Sequence, residues 1–265
     1  MDWIQIPFCK KLSPEEIEYL QSLTNGLDNQ LKLVAEYMGS EEYAELQGMT
    51  QAQINAFFRN SGIRQKLNDL IEYNASDSEQ FIRQYYRIGA ELGYADIGGV
   101  LAYTQADRIA LYNLTQYNFN LVTNLNNELR EGIREVIFEA VSEGHGYQTT
   151  MRNLMELPFN PIDTNISLIT RAEMIARTEH ARAVNTGTLQ AYVTYGITQV
   201  EIVTAQDGLV CDDCLELESR NPLTINEAQE ALPMHPNCRC AFAPVADSVE
   251  DLERVNNPTS VDLTD

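Results

Sequence analysis

Apolar positions in the first third of the chain recur at helical spacing. Ser13-Pro14-Glu15-Glu16 supplies an N-cap serine, a proline at the first helical position and a glutamate at the third, a capping box that starts a helix running to about Leu23. The spacing of Leu27, Leu31, Val34, Ala35 and Met38, then of Ile54, Phe57, Phe58 and Ile63, predicts further short amphipathic helices, with Gly39 and Gly48 as breaks. A second helical group opens at Ser76-Asp77-Ser78-Glu79, runs through Phe81, Ile82, Tyr85, Ile88 and Leu92, and halts at Asp96-Ile97-Gly98-Gly99, where the glycine pair is a hinge candidate.

From Gln105 to Ser142 the pattern Ile109, Tyr112, Leu121, Leu125, Leu129, Ile133, Val136, Ile137, Ala140 predicts one long helix or two stacked ones, ended by Gly144-His145-Gly146. A helix over about 147–157 stops before Pro158 and Pro161. Ile166 to Asn185 reads as a helix stopped by Gly187, and Leu189 to Tyr195 adds a turn or two before Gly196. The pattern then changes period: residues 197–204 alternate β-branched and polar side chains, as a half-buried strand does. A turn at Gln206-Asp207-Gly208, a short helix near Ile225 to Ala231 and a closing strand near Arg239 to Phe242 complete an α+β unit. The fold class expected is mainly α with a small C-terminal α+β unit, the helical region being followed by a metal-stapled two- to three-strand element. Four segments are expected: a helical interaction region at 1–100, linking helices at 101–165, a metal-binding core at 166–245 and an acidic tail at 246–265.

Composition narrows the function. With 44% hydrophobic residues the chain can bury real cores, but 39 acidic side chains against 18 basic ones give a formal charge of −21, a field that repels phosphate. Residues 201–265 alone hold 14 Asp and Glu against Arg220, Arg239 and Arg254. A zinc ribbon that grips DNA is disfavoured by that acidity, and contact with nucleic acid is expected only through local patches such as Arg130 and Arg134. No secretion signal and no apolar run of membrane-spanning length is read, so synthesis in a reducing cytosol and no membrane partner are expected. Trp3, Phe8, Phe57, Phe58, Phe81, Tyr85 and Tyr86 are either anchors for docking a partner or filling for a helical core.

The chemistry is concentrated in the cysteines. Cys211-x2-Cys214 and His235-x2-Cys238 are separated by 20 residues, and Cys240 follows two positions later. Two short-spaced pairs of soft donors brought together across a loop are the usual way to close a tetrahedral zinc site, so one structural zinc per chain is expected. Cys211, Cys214, His235 and Cys238 are the first choice of ligands, but Cys240 points to the same side as Cys238 in an extended chain and equally well displaces His235. The alternative is a set of reduced core cysteines or a reversible Cys211–Cys214 disulfide. A catalytic zinc needs an open position and a base; Asp213, Glu216 and Glu218 are the nearest carboxylates in sequence and read as solvated surface. His180, beside Arg177 and Glu179, reads as a partly buried helix residue, His145 as part of a helix terminator, and Cys9 as an unpaired thiol.

The C-terminal part resembles the phage Mu F-like minor head protein family, also called the phage head morphogenesis domain, of tailed bacteriophages. The resemblance is carried by Ala176-Arg177-Thr178-Glu179, Ala183, Asn185 and Gly187, by Tyr195-Gly196, by Thr204-Ala205-Gln206-Asp207 before Cys211-x2-Cys214, by Asn221-Pro222 and by His235-Pro236-Asn237-Cys238-Arg239-Cys240, and covers about residues 125–245. It implies a virion component carried in the head near the portal vertex. Its implied partners are the portal protein and head or scaffold proteins, its roles head assembly and DNA packaging or ejection, and it brings no catalytic role. Some relatives carry toxin or ADP-ribosyltransferase extensions, for which the 25 residues after Cys240 are too few; a zinc-dependent hydrolase or toxin effector delivered with the virion is the alternative function.

Overall fold

The computed structural model describes residues 12–46, 49, 50, 52, 53, 56, 59, 61–159, 166–208 and 210–245. Trp3, Phe8, Cys9, Gly48, Ile54, Phe57, Phe58, Pro161 and the acidic tail from 246 lie outside the described residues. In chain order the elements are α1 (Pro14–Met38), α2 (Glu41–Ala44), α3 (Gly62–Asp77), α4 (Glu79–Asp96), α5 (Gln105–Glu143), α6 (Tyr147–Glu156), α7 (Leu168–Thr194), β1 (Gln199–Val203), α8 (Asp212–Ser219), β2 (Leu223–Thr224), α9 (Ile225–Ala228) and β3 (Ala241–Pro244). The chain is mainly α with a small antiparallel sheet near its C-terminal end, the class the pattern predicts.

It divides into two compact units, each assembled from two stretches: Met1–Ser78 with Phe119–Ala176, and Glu79–Asn118 with Arg177–Asp265. Two of the divisions fall inside helices, α5 and α7.

The first unit is helical. At the start of α1 the Glu16 N–H donates to Ser13 Oγ (3.1 Å) and the Ser13 N–H to the Glu16 carboxylate (2.8 Å), the reciprocal cap the sequence announces. The helix does not end near Leu23; it continues to Met38 because the buried stripe of Leu20, Leu23, Leu27, Leu31 and Val34 is unbroken. Gly26 costs helix propensity within this run, but a Cβ there would lie 2.7 Å from the Asn74 amide nitrogen, so close approach of α3 favours it. Ile63, Leu67, Ile71 and Ala75 on α3, and Val122, Leu125, Leu129, Ile133 and Ile137 on α5, continue this unit's core. Each of these Val, Leu and Ile side chains contributes roughly 1.5–3 kcal/mol when taken fully out of water. Three amides, Gln30 and Asn126 buried and Asn74 half-buried, tie α1, α3 and α5 together: Asn126 Oδ1 accepts from Gln30 Nε2 (2.7 Å) and Asn74 Nδ2 (3.2 Å), while Asn126 Nδ2 donates to the Val122 carbonyl (2.8 Å). Each of those bonds fixes register, since sliding one helix would strand a buried polar group. The region 105–142 is one helix, and it closes with Gly144 at φ +71° and the His145 N–H on the Ala140 carbonyl (2.8 Å).

In the second unit α4 and α7 pack with unusually little between them. A Cβ on Gly89 would overlap the Val184 carbonyl, one on Gly187 the Tyr86 carbonyl, and one on Gly93 would lie 2.7 Å from the Thr188 carbonyl. Gly187 therefore does not stop the helix. It lies inside α7, where the absent side chain admits α4, and the Thr188 hydroxyl donates to the Gly89 carbonyl (2.9 Å). Tyr85 and Tyr86 are fully buried: Tyr85 meets His180 edge-on at 4.6 Å between centroids, and Tyr86 Oη donates to Asp107 (2.5 Å). They fill a core, and neither is a docking anchor.

β1 is the central strand, with β2 and β3 antiparallel on either side. Its alternation buries Val200 and Ile202, which join Leu223, Phe242, Leu217 and Tyr192 in one apolar cluster. β3 begins at Ala241, two residues later than the sequence suggests, because Arg239 and Cys240 are engaged elsewhere.

Candidate metal centre

β1 delivers the chain to a turn in which Gln206 takes φ +49°, and the next ordered element, α8, has Cys211 as its N-cap. There the Cys214 N–H points at Cys211 Sγ (3.4 Å). This bond draws the Cys211 thiol below its usual pKa, with the nearby His235 adding to the effect.

The second half of the cluster arrives on the loop 233–240. His235 Nε2 lies 3.1 Å from Cys211 Sγ and 3.2 Å from Cys214 Sγ, and Cys214 Sγ lies 4.0 Å from Cys238 Sγ. Two overlapping triads result, Cys211–Cys214–His235 and Cys214–Cys238–Cys240, each with its donor atoms within 4.8 Å of one another. Cys214 belongs to both. All five sequence-predicted ligands are therefore brought to one place, and this Cys/His group could hold a metal ion.

The donor set fits a soft tetrahedral ion. With metal–sulfur and metal–nitrogen bonds of about 2.3 and 2.0–2.1 Å, the edges of such a tetrahedron are about 3.8 Å between sulfurs and about 3.5 Å from nitrogen to sulfur; the spacings within each triad, 3.1 and 3.2 Å to His235 and 4.0 Å from Cys214 to Cys238, lie near these, and an ion would draw the two triads together. His235 is already oriented as a ligand would be. The Pro236 carbonyl lies 2.8 Å from Nδ1, and since a carbonyl only accepts, Nδ1 carries the proton and Nε2 presents its lone pair. That same bond raises the His235 pKa, with burial opposing and Cys211 adding to it. Without an ion, burial pushes the Cys214 thiol well up and Cys240 up to about 11, so a bound cation would have to displace protons.

The loop is held by side chains that pattern reading did not assign to the site. From α7, Thr178 Oγ1 accepts the Asn237 N–H (3.0 Å) and Asn185 Nδ2 donates to the Cys240 carbonyl (3.0 Å), so one helix grips both ends of the Asn237–Cys240 segment. Asn237 itself takes φ +64°, a conformation asparagine tolerates better than most residues. Arg239 forms a two-pronged ion pair with Asp207 (2.6 and 2.8 Å), joining the turn before Cys211 to the second half of the cluster. Asn221 bonds both backbone groups of Ile202 (2.8 Å each), and Glu218 accepts from the Thr204 N–H (3.0 Å) and hydroxyl. Most of these residues belong to the motif series that carries the family resemblance, and the geometry shows them bracing the loops around the cluster. Glu179 is buried beside Arg182 and its carboxyl is raised by desolvation.

Residues 131–243 match the family model described as Phage Mu protein F like protein. No curated protein and no solved structure gives a significant match to the chain. Every residue of the Cys/His cluster, and every side chain that positions its loop, falls within the matched stretch, so over residues 131–243 the chain is similar to the Phage Mu protein F like family.

Proposed function

We propose that the protein is a minor head component of a tailed bacteriophage, assembled with portal and other head proteins and acting in DNA packaging or ejection, and that its Cys/His cluster holds one structural zinc ion. The family match over residues 131–243 carries the first part. In this reading it is made in the host cytoplasm and ends in the virion; among the described residues no helix is long and apolar enough to cross a membrane.

The zinc reading rests on the soft donor set and on the smallness of the site. The cavity at the cluster measures about 20 Å³, lined by Val210, Cys211, Cys214, His235, Asn237 and Cys240 among others. That is room for about one water-sized occupant. A catalytic ion needs space for substrate and a base, whereas Glu218 is committed to Thr204 and Asp207 to Arg239. Cys211, Cys214, Cys238 and His235 are the preferred ligands, His235 over Cys240 because Nε2 already faces both sulfurs of the CxxC pair. Mass spectrometry of purified virions should find the chain in each particle, and metal analysis of protein purified without chelator should give one zinc per chain. Absence from virions despite normal expression would overturn the first part of the proposal; absence of metal would overturn the second.

A further inference from the structure

We infer that the first unit carries a phosphate-binding groove for the backbone of a nucleic-acid strand, formed by Arg59 and Arg64 on one side and Arg130 and Arg134 on the other. The groove has a volume of about 360 Å³, and its floor includes Leu67 and Ile133. Four of the chain's 18 basic residues face this one space, with Glu131 the single acidic residue lining it among the described residues. In a molecule of net charge −21, that is a local excess of three positive charges.

The guanidinium groups are incompletely matched. Glu131 is shared between Arg134 (2.9 Å) and Arg130 (3.7 Å), and Arg130 also donates to the Asn68 side chain (2.7 Å). Arg64 donates to the Arg59 carbonyl (3.3 Å), and among the described residues neither Arg59 nor Arg64 has a carboxylate partner. Holding four like charges around one groove costs folding energy unless an anion relieves it. Arg64 and Leu67 of the lining stand in the first two turns of α3, a 16-residue helix with no acidic residue in its first turn, so the positive end of its dipole lies near the groove.

Phosphate is favoured over carboxylate by the combination of arginine forks and a helix N-terminus, both of which suit a multi-oxygen dianionic or bridging phosphate. The remaining acid of the chain does not cancel the effect, since charges beyond about 8–10 Å are screened at physiological salt. Only the source of the nucleic acid, the packaged genome, depends on the head-component reading; the groove itself does not.

Fluorescence anisotropy with the purified full chain and a short random-sequence duplex tests the proposal. Four phosphate contacts imply a log–log salt slope near −3.6 and weak affinity, falling on the order of a hundredfold between ~0.05 and ~0.2 M salt. Arg64→Gln combined with Arg134→Gln should weaken binding at least tenfold and make the slope shallower by about two. Glu131→Gln should tighten binding several-fold, which loss of structure would not do. Arg83→Gln, on the exposed side of α4, should change neither. Equal binding to a polyglutamate peptide, or an unchanged slope in the double variant with its circular dichroism intact, would overturn the assignment. Virion incorporation, measured separately, reports on the head reading alone.

Discussion

The first unit and the sheet-bearing part of the second hold their shape by different means. In α1, α3 and α5 an apolar stripe repeats every three or four residues over many turns, and the buried polar cross-link between them is the trio Gln30, Asn74 and Asn126. Around the Cys/His cluster the strands are two to five residues long, and α9 is four. Backbone hydrogen bonds within such elements are too few to fix the loops between them. Side chains reaching backbone, as at Asn185, Thr178, Asn221 and Glu218, do that instead, with the cluster of sulfurs at the centre. Regular periodicity distributes stability over many interchangeable contacts; the sheet region concentrates it in a few specific ones.

The sharpest test of that contrast is removal of metal ligands. Cys214→Ser, at the donor common to both triads, should abolish zinc retention and destabilise the region by several kcal/mol, because metal binding in a small site is folding energy. Hydrogen exchange should show lost protection over residues 199–244 with α1 and α3 unchanged; equal loss in α1 would break the comparison. In the first unit, Leu125→Ala removes a fully buried side chain and should cost about 2–5 kcal/mol by urea unfolding, with zinc stoichiometry unaltered. Gly187→Ala drives a methyl group into the Tyr86 carbonyl and should cost about 1–3 kcal/mol, although alanine is the better helix former. Asp207→Asn breaks a pair whose two side chains are 37% and 41% exposed, so the loss should stay below ~1 kcal/mol.

Acidity probes the same centre. In the proposed zinc site a ligating His235 has to be neutral at Nε2 and the ligating thiols ionised, and the raised His235, Cys214 and Cys240 pKa values all strengthen competition by protons. A chromophoric chelator should therefore withdraw zinc more readily as pH falls from ~7.5 to ~5. In metal-stripped protein the sign reverses. A thiol raised to about 11 contributes stability below its ordinary pKa that is lost as pH rises through the folded value, so the stripped sheet region should weaken in alkali.

Much of this was readable from short-range pattern. The Ser13–Glu16 box, the period change at 197–204 and the x2 spacings of the cluster are local rules, obeyed by residues within four positions of each other. Gly187 illustrates the opposite case: whether a glycine ends a helix or admits a neighbour depends on Tyr86, far away in sequence. Thr178 and Asn185 are equally opaque, since their partners Asn237 and Cys240 are 59 and 55 residues distant. No periodicity shows that Glu79–Asn118 joins Arg177–Asp265 in one compact unit, because compactness is a property of the folded path.

Five donors stand where a tetrahedral ion takes four, and this surplus has a genetic consequence. Loss of His235 alone or Cys240 alone leaves four donors and one intact triad, whereas loss of both leaves three donors and loss of Cys214 dismantles both triads. A mutational scan should thus show strong epistasis between positions 235 and 240: each substitution is tolerated singly and the pair is not.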